Sequence, residues 1–395
     1  MKKELLQRAQ AFMAATGVDA WVVCDFRGNN PVLAPILGRR LHLTRRVILV
    51  VPAGGAPTLF VHAIEAGQFA AEGDAVHPYR THDDLVAALR PLLCGLDRVA
   101  LEYSPGGLLP AVSWVDAGTV DLLRELGPGS LESSADLLQA TLAVWDAAAL
   151  AGHNQACVAV VAAKDAAFAA IRQALVEGVV LTEYDIQCLI ARQFEAGGFE
   201  TDHPAIVGVN AHSGDPHYAP VADQAAPIHR GDWILIDLWA RRPGDEHVFA
   251  DITWVAVAAA AATPEQQQVF DIVRRARDLI VDRLQEAWRR GQSLRGCELD
   301  RLGRDLIAGA GYGERFLHRT GHSLSPGPAV HGLGANLDDV ESRDTRVLLP
   351  GTGFTIEPGI YLNDFGVRLE IDVYVDPEEG PTVTTPIQDN IVLLA

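Results

Sequence analysis

The stretch FTIEPGIYLNDFGVRLEIDVYV (354–375) places carboxylates among residues that are typical of buried β-strands. Glu357 ends one apolar run, and Glu370 interrupts the next. Two earlier strand-like segments share this feature, because Asp237 lies inside WILIDLWA (233–240) and Asp251 inside FADITWVAV (249–257). An isolated ionised carboxylate costs several kcal/mol in a protein core. We therefore expect one shared interaction to offset the cost of burying these four carboxylates.

Divalent cations are the compensation that fits a cluster of acids. Two carboxylates about 4 Å apart repel each other by roughly 1 kcal/mol in water and by several times more inside a protein. A bound cation reverses the sign of that interaction. Hard oxygen ligands with one imidazole suit manganese, cobalt, zinc or iron. For any single acid the alternative is an arginine partner or an exposed strand face.

A histidine-bearing segment, FLHRTGHSLSPGPAVHGLG (316–334), supplies candidate imidazoles. Its glycines and prolines predict a loop or an irregular strand, which can display side chains to a site. His318, His322 and His331 lie in this segment, and His217 lies in a second turn-rich segment, DPHYAP (215–220). A lone histidine in such a segment is more often structural, so the grouping of three carries the interpretation.

The order of predicted elements outside these segments indicates two domains. Residues 1–140 alternate short apolar strands with helix-like stretches at 64–71, 82–92 and 116–126, which predicts a small α/β domain. A turn signal, GPGS (127–130), marks the region of the boundary. In residues 141–395 two predicted helices precede a set of strands. The same order then occurs again, with predicted helices at 264–289 and 297–309 before further strands that include 367–375. This order resembles an internal structural duplication, without a clear repeat of residues.

Composition excludes several classes of protein. The chain has 395 residues and a formal net charge of −19, which argues against nucleic acid as a partner. The five cysteines are scattered singly, as in a reducing compartment. The longest apolar run, near 254–262, is about half of what a membrane span needs. We therefore expect a cytoplasmic protein with no membrane partner.

The ordered set Asp237, Asp251, His322, Glu357 and Glu370, with EPGIY (357–361) and RLEID (368–372), resembles the creatinase-fold metallopeptidases. This family includes Xaa-Pro dipeptidases (prolidases), Xaa-Pro aminopeptidases and methionine aminopeptidases. The resemblance implies an α+β chain, in which a pseudo-symmetric "pita-bread" catalytic domain (141–395) follows an α/β accessory domain (1–140). Methionine aminopeptidases lack such an accessory domain, which argues against that branch.

The resemblance also implies roles for the site residues. Asp237 would hold one cation and His322 the other, Asp251 and Glu370 would contact both, and Glu357 would lie beside a bridging hydroxide as general base and acid. Two divalent metal ions are implied, manganese first, with cobalt or zinc as alternatives. His217, His318 and His331 match substrate-contacting or catalytic histidines. Arg368 matches an arginine that orients a ligand carboxylate or the peptide, and a structural ion pair with Asp372 or Glu357 is its alternative.

Two spacings depart from the family pattern. His331 follows His322 by nine positions, two more than is usual, and SPGP (325–328) reads as the insertion. The interval from Asp237 to Asp251 is also longer than usual, and RRPGDE (241–246) reads as an extended hairpin turn. Both insertions fall on connections, so they leave the metal ligands in their strands and bear on the placement of His331.

The leading functional hypothesis is metal-dependent hydrolysis of Xaa-Pro dipeptides by a homodimeric prolidase. An Xaa-Pro aminopeptidase acting on longer proline-containing peptides is the alternative. A metal-free hydrolase of the same fold and a non-catalytic binding module are two further readings. Both would be expected to lose the metal ligands, and this chain keeps all five.

Overall fold

The structure, a computed structural model, describes residues 1–395, which divide into two compact units, Met1–Leu142 and Ala143–Ala395. The first unit contains the helices α1 (Lys3–Thr16), α2 (Leu33–Leu37), α3 (His82–Leu93), α4 (Ala117–Glu125) and α5 (Ala135–Leu142). Its strands are β1 (Ala20–Phe26), β2 (Arg46–Pro52), β3 (Thr58–His62), β4 (Val76–Tyr79), β5 (Arg98–Leu101) and β6 (Ser130–Ser133).

The six strands of the first unit form one mixed sheet in the order β4-β3-β2-β1-β5-β6. The central strands β1 and β2 pair antiparallel, whereas β5 runs parallel to β1. A core of aliphatic side chains from β1, β2 and β5 packs against α3 and α4. A helix expected at 64–71 is instead 3₁₀ structure spanning Ala66–Ala75 and interrupted by non-helical residues.

The second unit contains four helices and ten strands. The helices are α6 (Ala147–Glu177), α7 (Glu183–Gly197), α8 (Pro264–Arg289) and α9 (Gly296–Gly309). The strands are β7 (Ile206–Val209), β8 (Trp233–Ala240), β9 (Ala250–Val257), β10 (Ser323–Leu324), β11 (Gly353–Ile356), β12 (Gly359–Tyr361), β13 (Gly366–Arg368), β14 (Ile371–Asp376), β15 (Gly380–Val383) and β16 (Val392–Leu393).

These elements form two successive sets of two helices and a sheet. The first sheet has the order β16-β9-β8-β7 and the second β10-β11-β14-β15, with β12 and β13 as a separate pair. Aliphatic residues of α6 and α7 share a core with one face of the first sheet. Residues of α8 and α9 share another core with the second sheet. The predicted α+β fold with an internal structural duplication is confirmed.

Capping residues set where the long helices begin. The side chains of Thr182 and Thr263 each accept a hydrogen bond from the third helical amide, as N-caps of α7 and α8. Pro264, at the first position of α8, has no amide hydrogen to leave unsatisfied. The helix predicted at 264–289 has these bounds in the structure. None of the helices combines the length and the apolar composition that crossing a bilayer requires.

The strand predicted over 367–375 is broken. β13 ends at Arg368 and pairs with β12, whereas β14 begins at Ile371 and pairs with β11. Between them the amide of Glu370 donates to the carbonyl oxygen of Thr253 in the first sheet, at 3.3 Å. The apolar pattern of the sequence continues through this point, so it gives no sign of the change of partner strand.

Candidate metal centre

The first two acids lie on one face of the β8–β9 pair. Asp237 is opposite Thr253, and Asp251 is opposite Trp239. Paired residues of antiparallel strands project to the same face. Asp237, Asp251 and Thr253 therefore share a face, and all three are buried.

The second set of strands brings three more ligand candidates to that face. His322 precedes β10, Glu357 follows β11, and Glu370 lies at the break between β13 and β14. Ligand atoms of Asp251, His322 and Glu370 all lie within 4.8 Å of one another. Nε2 of His322 is 3.4 Å from Oδ2 of Asp251 and 3.7 Å from Oε1 of Glu357.

The imidazole of His322 is oriented by its neighbours. Its Nδ1 lies 3.2 Å from the carbonyl oxygen of Ser323, which assigns the proton to Nδ1. The lone pair of Nε2, on the side of the acids, is then left for a cation. Its backbone amide donates to the hydroxyl of Thr355, and that hydroxyl lies 3.1 Å from Glu357 Oε1. One threonine therefore contacts both His322 and Glu357.

Burial and mutual repulsion dominate the electrostatics of the cluster. Burial raises the pKa of Asp251 and of Glu370 well above their ordinary values, and the neighbouring carboxylates act in the same direction. Burial also raises the pKa of Glu357 to about 7, against the opposing charge of Arg368. Burial, with the nearby His331 and Arg319, holds the pKa of His322 well below its ordinary value.

Arg368 is tied into the cluster by hydrogen bonds. Its Nη2 donates to Oδ2 of Asp237 at 2.6 Å, its Nη1 donates to the hydroxyl of Tyr361 at 2.8 Å, and its Nε donates to the hydroxyl of Thr253 at 3.1 Å. The ion pair is thus made with Asp237, and neither Asp372 nor Glu357 is its partner. The Thr253 hydroxyl donates in turn to Oε2 of Glu370 at 2.8 Å.

His318 has internal partners for both ring nitrogens. Nδ1 lies 2.7 Å from the carbonyl oxygen of Arg319, and Nε2 lies 2.6 Å from the hydroxyl of Tyr361. Burial lowers the pKa of His318 to about 3, with Arg368 acting in the same direction. These contacts describe a neutral imidazole that supports Tyr361, so a direct contact with substrate would require His318 to exchange partners.

His331 lies against the cluster despite the longer spacing. Its ring centroid is 4.2 Å from that of His322. Nη2 of Arg319 is 3.5 Å from its Nδ1, and burial with this charge lowers the pKa of His331 to about 4. His217 is exposed in the turn after β7, and the carbonyl oxygen of the preceding Pro216 lies 3.5 Å from Nη1 of Arg368.

A second group of metal-ligand types, His153, Cys157 and Asp372, lies in the same unit. His153 is satisfied without a cation, because Nδ1 is 2.8 Å from the carbonyl oxygen of Phe249 and Nε2 is 2.8 Å from the hydroxyl of Thr384. Asp372 accepts the amide hydrogen of Asp251 at 2.9 Å. Through Asp372, this group therefore holds the backbone of Asp251 in place.

Several supporting residues were not found from the sequence. Thr253 follows Asp251 by two positions in a strand, so the two-residue period could have placed it on the same face. Asp300 of α9 accepts hydrogen bonds from the amide and hydroxyl of Thr320, between His318 and His322. No local pattern signals Asp300, since its role depends on a tertiary contact.

The residues present fit a site for divalent cations. Oδ1 of Asp237 and Oδ1 of Asp251 are buried without a hydrogen-bond partner. Unpartnered carboxylate oxygens beside other acids are costly unless a cation neutralises them. The donor set of carboxylate oxygens and one imidazole nitrogen is the set that such cations prefer.

Comparison with known proteins agrees with this geometry. The sequence profile of metallopeptidase family M24 matches residues 151–377, which include all five ligand candidates. The chain belongs to metallopeptidase family M24. The members of this family are metallopeptidases, and the second unit of this chain has their pita-bread fold.

Relatives of this M24 chain include dipeptidases. It is 32% identical over 207 residues to an Xaa-Pro dipeptidase of Lactobacillus helveticus, covering 51% of this chain and 49% of the relative. The chain thus matches about half the length of that relative. It is 28% identical to a "Probable dipeptidase PepE" of Mycobacterium bovis over 392 residues, covering 95% of this chain and 93% of the relative.

Solved structures share the fold over the whole chain. Dipeptidase PepE from Mycobacterium ulcerans aligns with a TM-score of 0.74 and 24% identity, over 99% of this chain and 97% of that one. The prolidase from Pyrococcus horikoshii OT3 aligns with a TM-score of 0.66 and 22% identity, over 99% and 100%. At these identities the likeness establishes the fold.

Proposed function

We propose that the protein is an Xaa-Pro dipeptidase that binds two divalent cations through Asp237, Asp251, His322, Glu357 and Glu370. The observation that carries the proposal is the convergence of Asp251, His322 and Glu370 within 4.8 Å, with Glu357 next to His322. Bound cations would supply Lewis acidity and lower the pKa of a water molecule. The remaining chemistry belongs to the side chains around them.

Glu357 is our candidate for the proton-transferring group. Its Oε1 faces Nε2 of His322 and lies near the hydroxyl of Thr355, so its carboxylate is held in one orientation. In that position Glu357 would accept the proton of the attacking water and return it to the proline nitrogen as that nitrogen leaves. His331 would bind the peptide by donating a hydrogen bond to one of its carbonyl oxygens.

Arg368 keeps Asp237 in place in this proposal. Because its guanidinium contacts Asp237, Tyr361 and Thr253 at once, it fixes the carboxylate of Asp237 and, through Thr253, that of Glu370. His318 would act indirectly, by orienting the hydroxyl of Tyr361 that Arg368 contacts. His217 would approach the peptide from its exposed turn.

The choice of a dipeptide over a longer peptide rests on charge. A dipeptidase must recognise the free carboxylate of its substrate with cationic groups. Arg319 is the cationic group next to the cluster: its Nη2 lies 3.5 Å from Nδ1 of the neutral His331, and its side chain is partly exposed. The Xaa-Pro dipeptidase among the relatives supports the same choice.

We propose manganese as the bound ion. Carboxylate oxygens outnumber nitrogen ligands, which favours manganese, with cobalt or zinc as alternatives. The five cysteines are free, which supports action in the cytoplasm. We propose a homodimer on the family resemblance.

A peptidase assay tests the proposal. Metal-stripped protein would be given manganese, cobalt or zinc together with an Xaa-Pro dipeptide, its C-terminal amide and an Xaa-Pro-Xaa tripeptide, with Glu357→Gln as the inactive control. We expect metal-dependent cleavage of the dipeptide and much weaker cleavage of the amide. Preferential cleavage of the tripeptide would instead establish an aminopeptidase. Failure to cleave any of the three with any metal would overturn the proposal.

An arginine variant separates carboxylate recognition from general damage. Arg319→Gln should raise KM for the dipeptide and leave KM for its amide unchanged, since only the first has a carboxylate to lose. Equal effects on both substrates would mean that Arg319 does not recognise the carboxylate.

A further inference from the structure

Two segments that are longer than the family pattern meet in the second unit. One is the hairpin connection between β8 and β9, and the other is the loop between His322 and His331. The guanidinium of Arg241, at the start of the first, donates through Nη1 to the carbonyl oxygen of Gly327 in the second. The two insertions are therefore in contact.

Arg241 is a fixed donor. It is 5% exposed, and its guanidinium pairs with Glu200 at 2.8 Å and with Asp245 at 3.1 Å. The same group stacks over the ring of Phe249, 4.8 Å from its centroid. With these partners the guanidinium holds one position, so the carbonyl of Gly327 is bound to a rigid part of the sheet.

Asp202 makes a second attachment, directly beside His331. Its Oδ2 accepts the amide hydrogen of Val330 at 3.1 Å, and its Oδ1 accepts from Nε1 of Trp239 at 2.5 Å. Val330 precedes His331 in the chain. The carboxylate thus joins the backbone at His331 to a side chain of β8, the strand that also carries Asp237.

The residues that follow His331 are hydrogen-bonded to the segment that follows His322. The amide of Gly332 donates to the carbonyl oxygen of Ser323 at 2.7 Å, and the amide of Leu333 donates to the hydroxyl of Ser325 at 3.1 Å. A Cβ on Gly332 would lie 2.5 Å from the Ser325 hydroxyl, so only glycine fits here. The additional residues form a bulge, and His331 stays 4.2 Å from His322.

We propose that Asp202 and Arg241 are positioning residues that hold His331 over the metal centre, and that through His331 they set the affinity for substrate. The part concerning affinity rests on the proposed function. The part concerning position does not, because it follows from contacts within the chain. The hairpin insertion thus anchors the bulge that the second insertion creates.

Hydrogen exchange tests the positioning. In metal-loaded Asp202→Asn and Arg241→Gln proteins, the peptide containing residues 323–333 should exchange its amide hydrogens several times faster than in the wild type. Arg242→Gln is the matched control, because Arg242 lies on the same hairpin but contacts Gly198 and the ring of Phe199. Unchanged exchange in both test variants would overturn the proposal.

Kinetics tests the consequence for substrate. We expect KM for an Xaa-Pro dipeptide to rise about tenfold in both test variants, as for other residues that orient groups in a metal site. Bound metal should stay within twofold of the wild type, and Arg241→Lys should restore part of the loss. In a His331→Ala background the same substitutions should have no further effect on KM.

The outcomes distinguish this proposal from the proposed function. Faster exchange with an unchanged KM, or a KM effect that persists without His331, would overturn the role of His331 in this inference. Wild-type protein that binds metal and cleaves no dipeptide would overturn the proposed function. The positioning would then stand or fall on the exchange measurement alone.

Discussion

Arg368 and Asp237, 131 positions apart in the chain, form a buried ion pair of 2.6 Å between Nη2 and Oδ2. The other oxygen of Asp237 has no hydrogen-bond partner. The arginine thus fixes one oxygen of the carboxylate and leaves the other for a ligand. Changes to Arg368, or to the residues in contact with it, should therefore alter metal binding at Asp237.

Substituting Arg368 should weaken the site through Asp237. We expect Arg368→Gln to lower metal affinity and kcat/KM by about 10- to 100-fold, because residues that orient metal ligands have effects of this size. Metal competition with a chromophoric chelator measures the affinity. A loss of kcat/KM with full metal affinity would show that Arg368 acts on the substrate instead.

The hydroxyl of Thr253 should contribute to metal affinity through its two hydrogen bonds. Thr253→Val removes the donor to Glu370 and the acceptor for Arg368 within a fully buried site, so metal affinity should fall by about tenfold or more. Thr253→Ser keeps the hydroxyl and should bind metal nearly as well as the wild type. If valine and serine behaved alike, the hydroxyl would have no such role.

Removing the metal should lower the melting temperature. A cation at 100 times its Kd stabilises the folded state by about 2.7 kcal/mol. Asp251→Asn should lose this metal-dependent shift. Without metal, however, it should be at least as stable as the wild type, because it removes one of several buried acids that repel each other. Calorimetry with and without EDTA checks both statements, and a large loss of stability in the metal-free variant would contradict the second.

His153 should make stability depend on pH. Burial lowers its pKa to about 4, so the unfolded chain takes up the proton first as pH falls below 6.5. The contribution of the neutral His153 to the free energy of unfolding is fully present above pH 6.5. It is lost as pH falls toward 4, and the loss is about 3 kcal/mol at most. Urea unfolding at several pH values should show this as a narrowing difference between the wild type and His153→Gln. A difference that does not vary with pH would contradict it.

The sequence predicted the elements whose signals are local. Thr263, Pro264 and the periodic apolar residues after them define α8, and the strands that carry Asp237 and Asp251 are read from their apolar runs. The strands β4 (VHPY) and β6 (SLES) were not predicted, because neither has the apolar pattern of a strand. These two form only by pairing with strands that are already present.

The partners of the site residues could not be predicted in the same way. The sequence suggested Asp372 or Glu357 for Arg368, and the structure gives it Asp237 from another sheet. It also gave no sign that the ring nitrogens of His318 would both be engaged. Such contacts depend on how distant strands align, which a single sequence does not encode locally.

The candidate ligands are divided between the two successive halves of the second unit, Asp237 and Asp251 in the first and the other three in the second. The halves also share a core, in which Trp233 and Val255 pack with Phe270 of α8. Cutting the chain between β9 and α8 would therefore yield two fragments, neither of which carries all five candidate ligands. Reassembly of the fragments would be metal-assisted, so the protein offers a natural split point for fragment complementation.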